Sequence, residues 1–389
     1  MTQRQLEQAG FVFIALSLGL VQLKLQLGQG VFFTLASLTW LVLIIRDGHA
    51  WDAIKPGRGT PSFFFPLLLY AAWTLASSAM SGNPQASFID SKQLLMFLMV
   101  PVVARFCAGD RATRTVDVII AIGSAGALWG IVQFAMLGYT DLDHRPRGLL
   151  NHWMTYSGVL MLVFCAAVAR MIFRPARVAW PMIAVPALLV ALVVTNTRNA
   201  WIGTFLAVLV LVAIRNWKLL LVAPAVAIIA VVLAPGLVQE RVRSIVNPND
   251  LGSRDRIVMW KIGRDMIRDY PVFGAGPEQI QVKYESYRQA YPEAVNARNP
   301  HLHNVPIQIA AERGLPALVL WLWFVVMAAR DLWRQLRARI APDVAAAGLA
   351  ALVAMLAAGM FEYNFGDSEF LMLFLGILTL PFAAAKVRR

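Results

Sequence analysis

Charge is scarce in this chain. Asp, Glu, Lys and Arg make up 15% of its 389 residues and 59% are hydrophobic, whereas a soluble domain carries about 25% charged residues. That excludes an ordinary soluble globular protein. Cysteine is nearly absent: Cys107 and Cys165 lie in or beside apolar runs, with no CxxC and no metal spacing, which leaves two free structural thiols. Acidic residues number 22 against 35 Lys and Arg, a formal charge of +13. No basic tail, zinc-finger spacing or aromatic-interleaved basic strand accompanies that excess, so nucleic acid is not the expected partner. Alternating ten-residue strands are missing too, which excludes a membrane β-barrel. No internal repeat and no low-complexity linker divides the chain.

What is present is a series of continuous apolar runs of about 16 to 24 residues, the length an α-helix needs to cross ~30 Å of hydrocarbon. The fold class expected is all-α, a polytopic membrane protein of about 12 transmembrane helices. They are drawn at 8 to 23, 31 to 46, 62 to 79, 90 to 107, 115 to 138, 153 to 173, 178 to 196, 199 to 214, 217 to 238, 314 to 332, 343 to 361 and 367 to 385. The first run lacks a small-residue cleavage site and is read as a retained helix. The expected organisation is a single integrated membrane domain, with helices 1–9 in residues 1–238, a long polar loop at 239–313 and helices 10–12 in 314–389.

Charge then orients the bundle. With the N-terminus inside, the short inside segments hold 19 of the 35 Lys and Arg, including Arg46, Lys55, Arg58, Arg105, Arg111, Arg170, Arg177, Lys386, Arg388 and Arg389. The short outside segments hold only Lys24, Lys92, Arg145, Arg147 and Arg198, which predicts that both termini are cytoplasmic. The outside then receives 81–92, 138–153, the tight turn 196–201, the long loop and 361–370.

The long loop carries 11 of the Lys and Arg and two of the five His. Residues 254–269 read as an amphipathic helix stopped by Pro271 and a GAGP turn, and 278–289 as a second short helix. Asn304 is placed to cap a helix with Pro306 in its first turn, and Gly314 with Pro316 marks the passage into the next span.

Arg198 sits between two apolar runs, where a cation is costly. It is either a snorkelling arginine at the headgroup boundary or an anion site. Arg256, Trp260, Arg264 and Arg268 recur every four residues along one drifting helix face; such a face either lies on anionic lipid or presents guanidinium forks to a diphosphate. Arg254 lies off this face, near a helix N-terminus that itself favours anions. His301 and His303 precede a helix N-terminus whose positive end favours neutral imidazole, the form that accepts a proton from a hydroxyl. An HxH pair also serves as a cap or a metal ligand, but third and fourth ligands at sensible spacing are missing. Asp141 and Asp143 form a DxD beside His144, the kind of pair that binds divalent cations in some sugar transferases. Arg145, Arg147 and His152 nearby suit phosphate or sugar. Asp367 and Glu369 either pair with arginines or solvate a loop.

Taken together, TNTRNAWIG (195–203), Arg256–Trp260 followed by RDYPVFGAGP, HLHNVPIQIAAERGLPAL (301–318) and FEYNFGDSEF (361–370) resemble the O-antigen ligase and polymerase superfamily of bacterial envelope enzymes. The resemblance is best over about residues 190–385 and favours the ligase branch. It implies transfer of a finished glycan from an undecaprenyl-diphosphate donor to a sugar hydroxyl of the lipid A-core acceptor, at the periplasmic face of the bacterial inner membrane, among membrane lipids and without cofactor or metal. It carries the essential arginines onto Arg198 and Arg256, with Arg254 a rival for the second, and the essential histidine onto His303. Arg254, Arg264, Trp260, His301, Asn304, Arg145, Arg147 and His152 are expected to bind substrate. The alternatives are a glycan polymerase or a protein O-oligosaccharyltransferase, which differ in acceptor. From another class stands a lipid-linked glycan transporter, which would want a midplane site.

Overall fold

The computed structural model describes residues 2–23, 28–48, 60–139, 141, 144–174, 180–232, 234, 236–247, 250–296 and 298–386. Lys24, Lys55, Arg58, Asp143, Arg177, Arg388 and Arg389 lie outside them. The chain is an all-α polytopic membrane protein, but the expected count of about 12 spans is corrected. Seven helices among the described residues are long and apolar enough to cross a membrane: Gln29–Asp47, Pro84–Phe106, Asp110–Met136, Trp153–Phe173, Arg198–Leu221, Val305–Arg337 and Pro342–Gly359.

The difference has physical causes. Phe64–Ala79, Trp180–Val194 and Ser368–Ala384 are apolar but only 16, 15 and 17 residues long, or about 22–26 Å at 1.5 Å per residue, short of the hydrocarbon thickness. The first helix, Gln3–Leu20, opens on QRQLEQ and so is polar along its first turns. The run expected at 217–238 is broken into a 3-10 turn at Trp217–Leu221, a ten-residue helix Ala223–Val232 and a polar helix Gly236–Val246. The connector expected at 81–92 is helical from Pro84, capped by Asn83 Oδ1.

The helices used below are α1 (Gln3–Leu20), α2 (Gly28–Asp47), α3 (Phe64–Ala79), α4 (Asp110–Met136), α5 (Trp153–Phe173), α6 (Arg198–Asn216), α7 (Gly236–Val246), α8 (Leu251–Asp269), α9 (Gln279–Arg288), α10 (Val305–Arg337), α11 (Pro342–Gly359) and α12 (Ser368–Ala384). At the centre α5 and α11 pack on one another and both pack on α6. The interior face of α11 is a row of alanines, Ala346, Ala347, Ala350, Ala351 and Ala354 among them, all fully buried. Small side chains bring helix backbones close together inside a membrane: a Cβ on Gly203 of α6 would stand 2.8 Å from the carbonyl oxygen of Ala354.

Both described ends of the chain lie at one face of this bundle. Arg105 bonds Glu7 at 2.8 Å and Asp47 at 2.9 Å, Arg111 donates to the Glu7 carbonyl at 3.2 Å and Lys386 to the Ala104 carbonyl at 3.1 Å. At the other face α8 and α9 form a cap with a core of its own, in which Val258, Met259, Ile262, Met266, Ile280, Tyr284 and Leu302 are buried. The sequence placed these helices at 254–269 and 278–289, close to Leu251–Asp269 and Gln279–Arg288.

The cap is fastened by a break in α10. Gly314 has φ 81° and ψ 169°, a conformation that favours glycine. The break frees carbonyls that would otherwise stay within the helix: Ala275 N–H donates to Ala311 O at 2.8 Å and Gly276 N–H to Glu312 O at 2.9 Å. From α3, Ser77 Oγ donates to Phe273 O at 2.6 Å, Trp73 Nε1 to Arg313 O at 2.9 Å, and the Trp73 ring stacks on Phe273.

Candidate active site

Between cap and bundle the loops bring two groups of side chains together. The first is a set of arginines. Arg198, the first residue of α6, donates through Nη1 to Asp250 Oδ2 at 2.8 Å, Ser244 O at 2.8 Å and Ser244 Oγ at 3.2 Å, so it engages the cap and does not snorkel into headgroups. Arg256, one turn into α8, is held by Nε donating to Phe361 O at 3.1 Å. A Cβ on Gly252 would lie 3.0 Å from Arg198 Nη2 and 3.9 Å from Arg256 Nη1, which places the two guanidiniums side by side. They line a cavity of about 210 Å³ with Trp260 and Phe361. Arg241, which the sequence reading passed over, anchors its Nε on Asn196 O at 3.1 Å. Burial, with Arg198 and Arg145 close by, lowers its pKa to about 10. Burial likewise lowers that of Arg256, against the opposing pull of Glu362. Half-buried guanidiniums gathered in this way are an arrangement that favours an anion beside them.

The second group surrounds His303. Its backbone is left-handed at φ 49°, immediately before Asn304, whose Oδ1 accepts from Ile307 N at 2.9 Å and whose Nδ2 donates to Met360 O at 3.0 Å. Asn304 is therefore the expected helix cap and also ties α10 to the end of α11. His303 Nδ1 lies 2.9 Å from Glu362 Oε2. Burial pushes the Glu362 carboxyl up, but His303 and Arg256 outweigh it and hold the group below its ordinary range. An ionised carboxylate only accepts, so Nδ1 carries the proton of this contact, and in the neutral tautomer that the contact selects Nε2 is the ring's acceptor.

His303 and Glu362 line a cavity of about 570 Å³ with His152, Trp153, His301, Asn364 and Asp367. Burial lowers the pKa of His301 and of His152. Asp367, bonded by Thr155 Oγ1, is pushed by burial up to about 6. Asn199 lines both cavities, so they meet there and along Phe361–Glu362.

The structure thus brings together Arg198, Arg256 and Trp260 in one cavity and His303, His301 and His152 in the other, with Arg145 over the Trp153 ring at 4.4 Å. It leaves others outside. Arg254 is exposed on the side of α8 that faces Glu293. Arg264 is exposed and paired with Asp265 at 3.1 Å, and Arg268 and Arg147 are exposed. Asp141 contacts His144 Nδ1 at 3.2 Å on the surface. Glu362 and Asp250 were missed. Glu362 stood inside a quoted motif, but nothing in the sequence linked it to His303, 59 residues away.

This geometry defines a class: a helical membrane protein with paired guanidiniums and a carboxylate-bound histidine at one end of its bundle. Residues 182–322, which include Arg198, Arg256 and His303, match the O-antigen ligase family, and over that stretch the chain is homologous to it. No curated protein matches the chain.

Proposed function

We propose that the chain is an inverting, metal-independent glycosyltransferase that moves O-antigen polysaccharide from undecaprenyl diphosphate to a sugar hydroxyl of lipid A-core. The observation that carries the reading is the adjacency of the two cavities, one holding Arg198 and Arg256 and the other the His303–Glu362 pair. In the reaction an acceptor hydroxyl attacks the anomeric carbon while His303 Nε2 takes its proton. The bond from that carbon to the diphosphate breaks, and its electron pair leaves on the diphosphate oxygen. Arg198 and Arg256 stabilise the growing negative charge, the kind of contribution worth several kcal/mol in a water-poor site. Glu362 holds the ring and stabilises the imidazolium until the proton passes to water. Asp250, which occupies Arg198, is the group that the diphosphate displaces or shares.

The lipid needs a path as well. A groove of about 440 Å³, apolar and lined by Val305, Pro306, Trp321, Leu322 and Met360, suits the polyprenyl chain. The face bearing Arg105, Arg111 and Lys386 is assigned to the cytoplasm, with both termini, by the excess of basic residues there. The cap, residues 239–313, is then periplasmic and acts as a lid joined to the helices on either side.

The test is a transfer assay on purified protein with undecaprenyl-diphosphate glycan, lipid A-core and chelator. Capped core supports the reading. Glycan that only lengthens on its carrier replaces it with a polymerase, and loss of activity with chelator removes the metal-independent step.

A further inference from the structure

The larger cavity carries more chemistry than a general base requires. At about 570 Å³ it falls within the roughly 300–1,000 Å³ of small-molecule sites, and it lies across Phe361–Glu362 from the arginines. Three buried polar atoms of its lining have no hydrogen-bond partner: Trp153 Nε1, His301 Nδ1 and Asn364 Oδ1. Asn364 is only 6% exposed, and its Nδ2 is already committed to Met355 O at 3.3 Å, so Oδ1 is the atom left for a ligand. An indole N–H only donates and an amide oxygen only accepts. Hydroxyl groups, which do either, satisfy both. The same cavity is walled by the rings of Trp153, Tyr363 and Phe370, which suit the C–H face of a pyranose. Asp367, with Thr155 on one oxygen and the Phe370 amide on the other, adds a carboxyl group whose remaining lone pairs can bind hydroxyls.

We propose that this cavity is the acceptor-sugar subsite, in which Trp153 Nε1–H, Asn364 Oδ1 and Asp367 bind hydroxyls of one pyranose ring and present another to His303. The proposal rests on the transferase reading and adds a division of labour to it. The acceptor ring enters from the His303 side and the diphosphate leaves on the Arg198 side, the back-to-front approach that inversion demands. Trp153, Asn364 and Asp367 read the acceptor, whereas the arginines read the donor whatever its glycan.

Two variants test it. Trp153→Phe keeps an aromatic ring, though a smaller one, and deletes the N–H; Asp367→Asn keeps a residue able to cap α12, where Asp367 accepts from Phe370 N at 2.9 Å. In the transfer assay each raises KM for lipid A-core about tenfold, the order of one lost hydrogen bond, and leaves KM for the lipid-diphosphate donor unchanged. Calorimetry supplies a readout without turnover. Deacylated core oligosaccharide binds the parent protein and Arg256→Ala alike and binds Trp153→Phe about tenfold more weakly, while geranyl diphosphate shows the opposite order. If either variant shifts the donor constant and spares the acceptor, or if the oligosaccharide does not bind the parent, the subsite is wrong. Transfer that proceeds with an unchanged acceptor KM removes the subsite and leaves the transferase. Oligosaccharide binding without any transfer removes the transferase and leaves the subsite. Should Asp367→Asn not fold, Trp153→Phe decides alone.

Discussion

At the scale of single residues, the His303–Glu362 contact makes the sharpest demand. Glu362 Oε2 stands 2.9 Å from Nδ1, so a Glu362→Gln side chain fills the same space without the charge that stabilises an imidazolium. The expected result is a fall in kcat of about a hundredfold, within the range for general-base assistance, with both KM values little changed. A rise in KM alone would make Glu362 a binding residue. Asp367 gives a pH prediction. Its folded pKa of about 6 lies above the ordinary carboxylate value of about 4, so the folded state holds more protons than the unfolded state between those limits. Stability therefore falls as pH rises from about 4 to 6, and Asp367→Asn flattens that slope in thermal unfolding followed across the range. Much of the site was legible because Arg198, Arg256 and His303 each violate their surroundings in the sequence: a cation between apolar runs, a basic row, a histidine before a helix. Glu362 was not legible as a partner because it is 59 residues from His303, and only the packing of α10 on α11 unites them. Arg264 misled because a helical row drifts, and two turns beyond Arg256 it has rotated into solvent.

At the scale of elements, the break in α10 decides how the site is closed. A Cβ on Gly314 would stand 1.8 Å from Val272 O, and the φ of 81° disfavours any side chain. Gly314→Ala is expected to destabilise the protein by at least about 2–3 kcal/mol. The amides of Ala275 and Gly276 would lose their carbonyl partners, the cap would loosen, and transfer would fall together with Tm. A variant of parental Tm and activity would show that the strap is dispensable. The Gly–Pro pair at 314–316 marked this passage in the sequence. Its consequence did not show there, because the freed carbonyls are taken by residues 275 and 276 across a long loop. Span counting went astray for a related reason. Apolar content alone does not distinguish α3 or α12, each under 18 residues, from a helix that spans, and the broken stretch after Trp217 is continuous in hydropathy.

On the scale of the whole molecule, the bundle separates what stabilises from what reacts. Arg170, fully buried near the end of α5, bonds Asp117 at 2.5 Å and Asp343 on α11, so this residue, counted in the sequence among the inside basic charges, is an internal tie. Trp153, at the opposite end of α5, lines the larger cavity, about 25 Å away at 1.5 Å per residue. Arg170→Leu strands the buried Asp343 carboxylate and leaves the half-buried Asp117 without its cation, and is expected to cost about 3 kcal/mol, whereas replacing Arg170, Asp117 and Asp343 together by apolar residues restores most of that stability. Thermal unfolding of both variants in detergent measures this. The transfer constants of the folded fraction are expected to be parental in each case, because no substituted group touches either cavity. A changed donor or acceptor KM in the triple variant would mean that the packing of α5 against α11 transmits strain along the bundle to His303 and the rings around it.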